Sequence, residues 1–189
     1  MEAFETNILK CLGVLEGGGV ILFPTETAWA LGCDATNEDA VRRIYKIKHQ
    51  RDFERLIVLL ADERDVLRYV AAPDLSVFDF LETQERPTTV VFDHAINLAE
   101  SLLAQDGSVG IRLAQDAFCR SLIKRFRKPI VSSPARISAE QTPSCFTEVT
   151  QTFRKGVDFI AQWGQQETST SHPSQIIRWK NGEAEFILR

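Results

Sequence analysis

The chain has 189 residues, 44% hydrophobic and 25% charged, with a formal net charge of −4. Those values exclude a largely disordered chain and a bulk polycation, and no apolar run approaches the roughly 18 residues needed to cross a bilayer. The length fits a single domain, residues 1–189, large enough to bury a real core. The opening residues MEAFETNILK carry acids where a secretory leader would carry bases, so the expected location is cytoplasmic, with no membrane partner. Cys11, Cys33, Cys119 and Cys145 form no C-x-x-C pair and read as reduced, mostly buried thiols. His49, His94 and His172 stand apart and make no metal-ligand cluster, so no metal is expected.

In chain order, Ile8, Leu9, Leu12 and Leu15 recur at helical spacing after Thr6-Asn7, which can cap, and Gly17-Gly18-Gly19 closes that helix. Val20 to Phe23 is a continuous apolar run, the pattern of a strand buried on both faces. Pro24-Thr25-Glu26-Thr27 ends it and delivers hydrogen-bonding side chains past the strand's C-terminal end, where ligands sit in open α/β sheets. An ordinary polar turn fits the same letters. Asn37 opens a second helix with its apolar face on Ala40, Val41, Ile44 and Ile47, and Lys48 falls at its end. Leu56 to Leu60 reads as a strand, Asp62 as the cap of a helix through Val70, and Leu75 to Leu81 as another short helix.

Thr88 to Phe92 and Ser108 to Leu113 read as strands, with a helical pattern from Ile96 to Leu103 between them. Phe118, Leu122, Ile123 and Phe126 make an amphipathic helix, and Ile130-Val131 a short strand before a proline-punctuated loop. Phe146 to Phe153 reads as a helix, Val157 to Ala161 as a strand and 165–173 as a loop. Gln175 to Trp179 and Ala184 to Leu188 make a hairpin around Asn181-Gly182. This alternation defines an α/β domain with helices on a twisted, mixed sheet.

No nucleophile motif, Walker A loop or G-x-G-x-x-G occurs, so no covalent catalytic residue is assigned. Hydroxyls and cations instead follow predicted strands repeatedly: Thr25 and Thr27, then Arg112, then Ser132, Ser133 and Ser138, then Ser174. That set suits anion binding and group transfer driven by orientation and charge. Two basic segments, one holding Arg43 and Lys46 and the other Lys124, Arg125, Arg127 and Lys128, make an RNA surface if they meet in space. Two solvated helix faces are the plainer reading.

Phe23-Pro24-Thr25-Glu26-Thr27-Ala28-Trp29-Ala30-Leu31-Gly32 resembles the P-T-E-T-x-Y-G-L-G opening of the YrdC/YciO family. Ile44 to Lys48 resembles its I-x-x-x-K segment, Leu56 to Leu59 its L-I-V strand, and Thr88 to Phe92 the strand after P-G-P. Val109 to Leu113 resembles V-x-V-R-x-P, Lys128 to Ser133 resembles K-P-L-V-S-T, and Pro173 to Ile177 resembles P-S-T-I. The resemblance runs from about residue 8 to 189 and implies a YrdC-like twisted mixed sheet flanked by helices, with a concave basic cavity.

The resemblance also implies a reaction: L-threonine, bicarbonate and ATP with Mg²⁺ give threonylcarbamoyl-AMP and pyrophosphate. The product serves N6-threonylcarbamoyladenosine formation in tRNA, with tRNA, double-stranded RNA and tRNA-modification proteins as the implied partners. Carried over residue by residue, the threonine side falls on Thr25, Arg112 and Ser174. The nucleotide side falls on Lys48, Arg51, Ser132, Ser133, Arg136 and Ser138. The RNA contacts fall on Arg43, Lys124, Arg125, Arg127 and Lys128. The chain departs from the family mainly at the nucleotide end. Gln50 holds the Arg place of K-x-R with Arg51 next to it, and Pro134-Ala135-Arg136-Ile137-Ser138-Ala139 replaces S-A-N-x-S-G. The alternative is therefore a YciO-like paralogue that keeps the fold and binds RNA or a nucleotide without this synthesis.

Overall fold

The structure, a computed structural model, describes residues 2–49, 56–136, 142–167 and 174–188. Helix α1 (Glu2–Glu16) begins earlier than expected, because Glu2 and Glu5 already suit the positive end of the helix dipole. Asn7 is therefore inside the helix, not its cap: its amide donates to Ala3 O at 2.7 Å and its carbonyl accepts from Gln162 N at 2.7 Å.

Strand β1 (Ile21–Pro24) runs antiparallel to β2 (Trp29–Gly32), with Phe23 opposite Ala30 and Pro24 opposite Trp29. The opening stretch is thus a hairpin, and β2 was hidden in the sequence because Trp29 to Gly32 is apolar without alternation. All four of its residues are buried. Pro24 is tolerated because it sits at the very end of its strand.

Helix α2 (Glu38–Ile47) starts as expected: Asn37 accepts from Ala40 N at 3.1 Å. Removing that cap by Asn37→Ala should cost about 1 kcal/mol, seen as a lower denaturation midpoint with an unchanged slope. Strand β3 (Ile57–Leu60) leads to a 3-10 turn, Glu63–Arg68, capped by Asp62, and then to α3 (Val77–Glu82). β4 (Thr88–Phe92), β5 (Val109–Leu113), α4 (Ala117–Phe126) and β6 (Ile130–Pro134) follow. The helical pattern at 96–103 yields only a 3-10 turn, Glu100–Leu102. Phe146–Glu148 is likewise a 3-10 turn before α5 (Gln151–Gly156) and the two-residue strand β7 (Phe159–Ile160). The closing hairpin, β8 (Gln175–Lys180) and β9 (Glu183–Leu188), turns on Asn181 and Gly182 at φ 54 and 79, the left-handed pair its tight turn requires.

The sheet order is β7-β1-β2-β6-β3-β5-β4-β8-β9, with parallel pairs β1/β7, β3/β5 and β4/β8 and the rest antiparallel. Alternation along each strand divides the core in two. One face carries Leu22, Leu31, Val58, Ile111 and Val131 against α2, α5 and the region from Val66 to Phe78. The opposite face carries Phe23, Ala30, Leu59 and Ile130 against α1 and α4. Phe4 of α1 meets Phe118 of α4 edge-on, with ring centroids 5.7 Å apart. Among the described residues no helix is long and apolar enough to cross a membrane.

Candidate active site

Strand register brings the threonine-side residues together. Thr89 on β4 lies directly opposite Arg112 on β5, and Ile176 on β8 is its neighbour on the other side. Ser174, just before β8, shares a hydrogen bond with Thr89 at 3.2 Å between hydroxyl oxygens. Gly110 keeps the floor open beside Thr89, since a Cβ there would lie 3.2 Å from Thr89 Cγ2. Arg112 is 3% exposed. Its Nε stands 3.0 Å from Glu26 Oε1, an ion pair supplied by the turn between β1 and β2.

That turn is held by Thr25. Its hydroxyl donates to Ala28 O at 2.8 Å and accepts from Thr27 N at 3.3 Å and Ala28 N at 3.2 Å. Thr25 therefore fixes the turn that presents Glu26 to Arg112. Glu26 also meets the N-terminus of α4, where Asp116 caps the helix by accepting from Cys119 N at 3.0 Å. Carboxylate oxygens of Glu26 and Asp116 and the Cys119 sulfur all lie within 4.8 Å of one another. The Arg112 guanidinium faces this group. Burial raises the Glu26 pKa, Arg112 opposes that rise, and Asp116 reinforces it. The Cys119 thiol is pushed far up by complete burial and the two carboxylates, so it stays protonated. Glu26, Asp116 and Thr89 were not singled out as site residues in the sequence. Asp116 carried one signal: an Asp just before an amphipathic helix is a cap, hence fixed in place near the end of β5.

The nucleotide-side residues divide between the two faces of the sheet. Ser132 lies opposite Ile57 on the face of Leu59 and Arg112, whereas Ser133 follows Val131 to the other face. Lys48 is with Ser133: it is 1% exposed and donates to Ser133 Oγ at 2.8 Å and Pro134 O at 2.9 Å. Arg136 is half-buried just beyond β6. Arg51 and Ser138 lie outside the described residues.

The two basic segments do not meet in one surface. Helix α2 packs on one face of the sheet and α4 on the other, so Arg43 of α2 and Lys124 and Arg125 of α4 sit on opposite faces, while Arg127 and Lys128 follow the end of α4. Three of the cations are also paired: Arg43 with Asp158 at 2.6 Å, Arg125 with Glu5 at 2.7 Å, and Lys128 with Asp34 at 2.7 Å. A cleft of about 450 Å³ opens where the chain leaves Arg112, walled by Leu113, Ala114, Phe78 and Leu81. Its rim balances Asp62, Glu63 and Glu82 against Arg64, Arg86 and Arg120.

Fold and site together define an α/β fold with a buried arginine centre fed by three neighbouring strands. The chain belongs to the Sua5/YciO/YrdC family, whose model, described as telomere recombination, matches residues 13–189. It is 28% identical over 183 residues to the threonylcarbamoyl-AMP synthase of Pseudoalteromonas translucida, covering 95% of this chain and 96% of that protein. It is 25% identical over 184 residues to that of Psychromonas ingrahamii, covering 95% of each. Among solved structures, P. abyssi Sua5 complexed with L-threonine superposes at a TM-score of 0.85 and 22% identity. That match covers 95% of this chain and 53% of the other, so the present chain spans about half of Sua5. E. coli YciO superposes at 0.81 and 20% identity, with 96% and 88% covered. The last two likenesses concern the fold.

Proposed function

We propose that this protein is a threonylcarbamoyl-AMP synthase. The reading is supported by the match to synthases over 95% of the chain and by the row Ser174, Thr89, Arg112 across β8, β4 and β5. In this reading the threonine carboxylate is received by Arg112, whose fork is suited to that geometry, and its hydroxyl by Ser174 and Thr89. Thr25 contributes by holding the turn. The threonine amine takes up carbon from bicarbonate, releasing water, and the resulting carbamate oxygen attacks the α-phosphorus of ATP, expelling pyrophosphate. Lys48 and Ser133, with Arg136, Arg51 and Ser138, supply charge and hydrogen bonds to the phosphates of ATP, which enters with Mg²⁺ as substrate, while Ser132 lies on the Arg112 face and serves the threonine side. The product serves threonylcarbamoyladenosine formation in tRNA in the cytoplasm, with the tRNA-modification partners that this requires. Lys124 of α4 and Arg127 just beyond its end, neither in an ion pair among the described residues, are the residues through which tRNA or double-stranded RNA would be met.

One observation favours the paralogue reading: the Lys48 ammonium is buried and engaged by Ser133 and Pro134. A nucleotide must draw it away from those acceptors. Pyrophosphate release separates the two readings. With ATP, Mg²⁺ and bicarbonate present, release should rise several-fold on adding L-threonine; release that ignores threonine favours the paralogue.

A further inference from the structure

The cleft of about 450 Å³ at the ends of β3 and β5 is not part of the threonine row. Its lining includes Thr88 and Leu113 but neither Thr89, Arg112 nor Ser174. Adjacent strand residues face opposite ways, so the cleft opens on the side of β4 and β5 away from the Thr89–Arg112 pair. Its size falls within the roughly 300–1,000 Å³ of pockets that hold small molecules.

Two helices that pack on opposite faces of the sheet wall it. Helix α3 supplies Phe78, Leu81 and Glu82, which share one side of the helix at spacings of three and four. The other wall is Arg120 of α4 with Ala114 in the link before it, and Leu113 lies between. Strand β8 pins α3 at both ends. Trp179 Nε1 donates to Asp74 Oδ2 and Ser76 Oγ, each at 3.1 Å, before the helix. Beyond the helix, Gln175 Nε2 donates to Gln84 Oε1 at 3.0 Å. The cleft is therefore preformed, and a ligand does not have to order it.

Charge is laid out by wall. Glu82 is the charged group that α3 brings and Arg120 the one that α4 brings. Both are exposed, and neither is in an ion pair among the described residues. Asp62, Glu63 and Arg64 follow one another after β3, so both signs arise there from one place, and Arg86 is engaged within the chain. A simple anion would meet the rim carboxylates as well as Arg120, and a simple cation the reverse. A ligand with an apolar body and opposite charges at its two ends satisfies both walls. We propose that this cleft is a second binding site, for a short apolar peptide with free termini. Its carboxylate meets Arg120, its ammonium meets Glu82, and its side chains lie on Phe78, Leu81 and Leu113. The site does not depend on the synthase reading.

The test titrates the intact, isotope-labelled protein with millimolar L-leucyl-L-leucine and follows its amide signals by NMR. Saturable shifts should centre on Phe78, Leu81, Leu113 and Arg120, and L-threonine should not reverse them. Glycylglycine, the same termini without the apolar body, should bind at least about tenfold more weakly. Leucyl-leucinamide and N-acetyl-leucyl-leucine, each lacking one charge, should bind about fivefold more weakly, the upper end for an exposed ion pair. Arg120→Gln should weaken the free dipeptide by that factor and leave the amide unchanged. Glu82→Gln should weaken the free dipeptide and leave the N-acetyl compound unchanged. Both changes are at exposed positions, so the variants should stay folded. No saturable shift, shifts centred on Arg112 and Ser174, reversal by threonine, glycylglycine binding as tightly, or variants that bind as wild type each overturns the proposal. Dipeptide binding without threonine-dependent turnover would remove the synthase and leave this site. Turnover without dipeptide binding would do the reverse.

Discussion

Arg112→Ala should abolish threonine binding and lower threonine-dependent turnover by at least about a hundredfold, the scale of losing a charged donor at a water-excluded site. It should also destabilise the fold by about 3–5 kcal/mol, because the buried Glu26 would lose the guanidinium beside it. The pH dependence has a definite sign. Removing the guanidinium raises the Glu26 pKa further, and a carboxyl whose folded-state pKa is raised contributes stability that is lost as pH rises through it. The gap in melting temperature between variant and wild type should therefore narrow toward acid and widen toward alkali. Arg112→Lys separates binding from folding: it keeps the charge and most of the stability but lacks the fork, so the KM for threonine should rise with a smaller thermal effect.

Lys48→Met should reduce turnover by about a hundredfold or more while leaving the protein folded. The physical reason is asymmetric. A buried ammonium is costly to hold, and an apolar chain of similar volume often replaces a buried charge at little loss of stability. The variant also removes a donor to Ser133 Oγ and Pro134 O. If Lys48 instead serves only to tie α2 to β6, the variant should lose stability and keep its KM for ATP. Melting temperature and ATP kinetics, measured on the same preparation, distinguish the two roles.

The elements legible in the sequence were those with one strong local signal: the Asn37 cap, the apolar strands at 57–60 and 109–113, and the Asn181-Gly182 turn. Strand β2 was not legible, because its four buried residues show no alternation and its pairing with β1 is a tertiary fact. The pattern at 96–103 had helical spacing, but Asn97 takes a left-handed φ of 57, which interrupts a helix, so only the 3-10 turn Glu100–Leu102 forms. At the site, Arg112 and Ser174 could be named from their places after or within strands, and the register joins them through Thr89. Ser132 and Ser133 looked like one group because they are adjacent in sequence, yet a strand turns adjacent side chains to opposite faces. The basic segments misled in the same manner: charge clustering along the chain says nothing about which side of a sheet each helix covers.

The Glu26–Asp116 contact shows where sequence reading ends for another reason. Glu26 was visible as part of the opening motif and Asp116 only as the residue before a helix, about ninety positions apart. Their meeting depends on the β1–β2 hairpin turning toward α4, a consequence of packing. Family likeness gave the turn and the arginine, while the carboxyl pair emerges only from the packing of this chain.

The central claim, that Arg112 and its neighbours serve the synthesis of threonylcarbamoyl-AMP, is tested most directly by following the carbon. Carbon-13-labelled bicarbonate, ATP, Mg²⁺ and L-threonine are incubated with the protein, and the nucleotide products are resolved by mass spectrometry. The account predicts a labelled threonylcarbamoyl adenylate that appears only when threonine is present and disappears in Arg112→Ala. ATP left intact, or AMP formed without any labelled adduct, would contradict it.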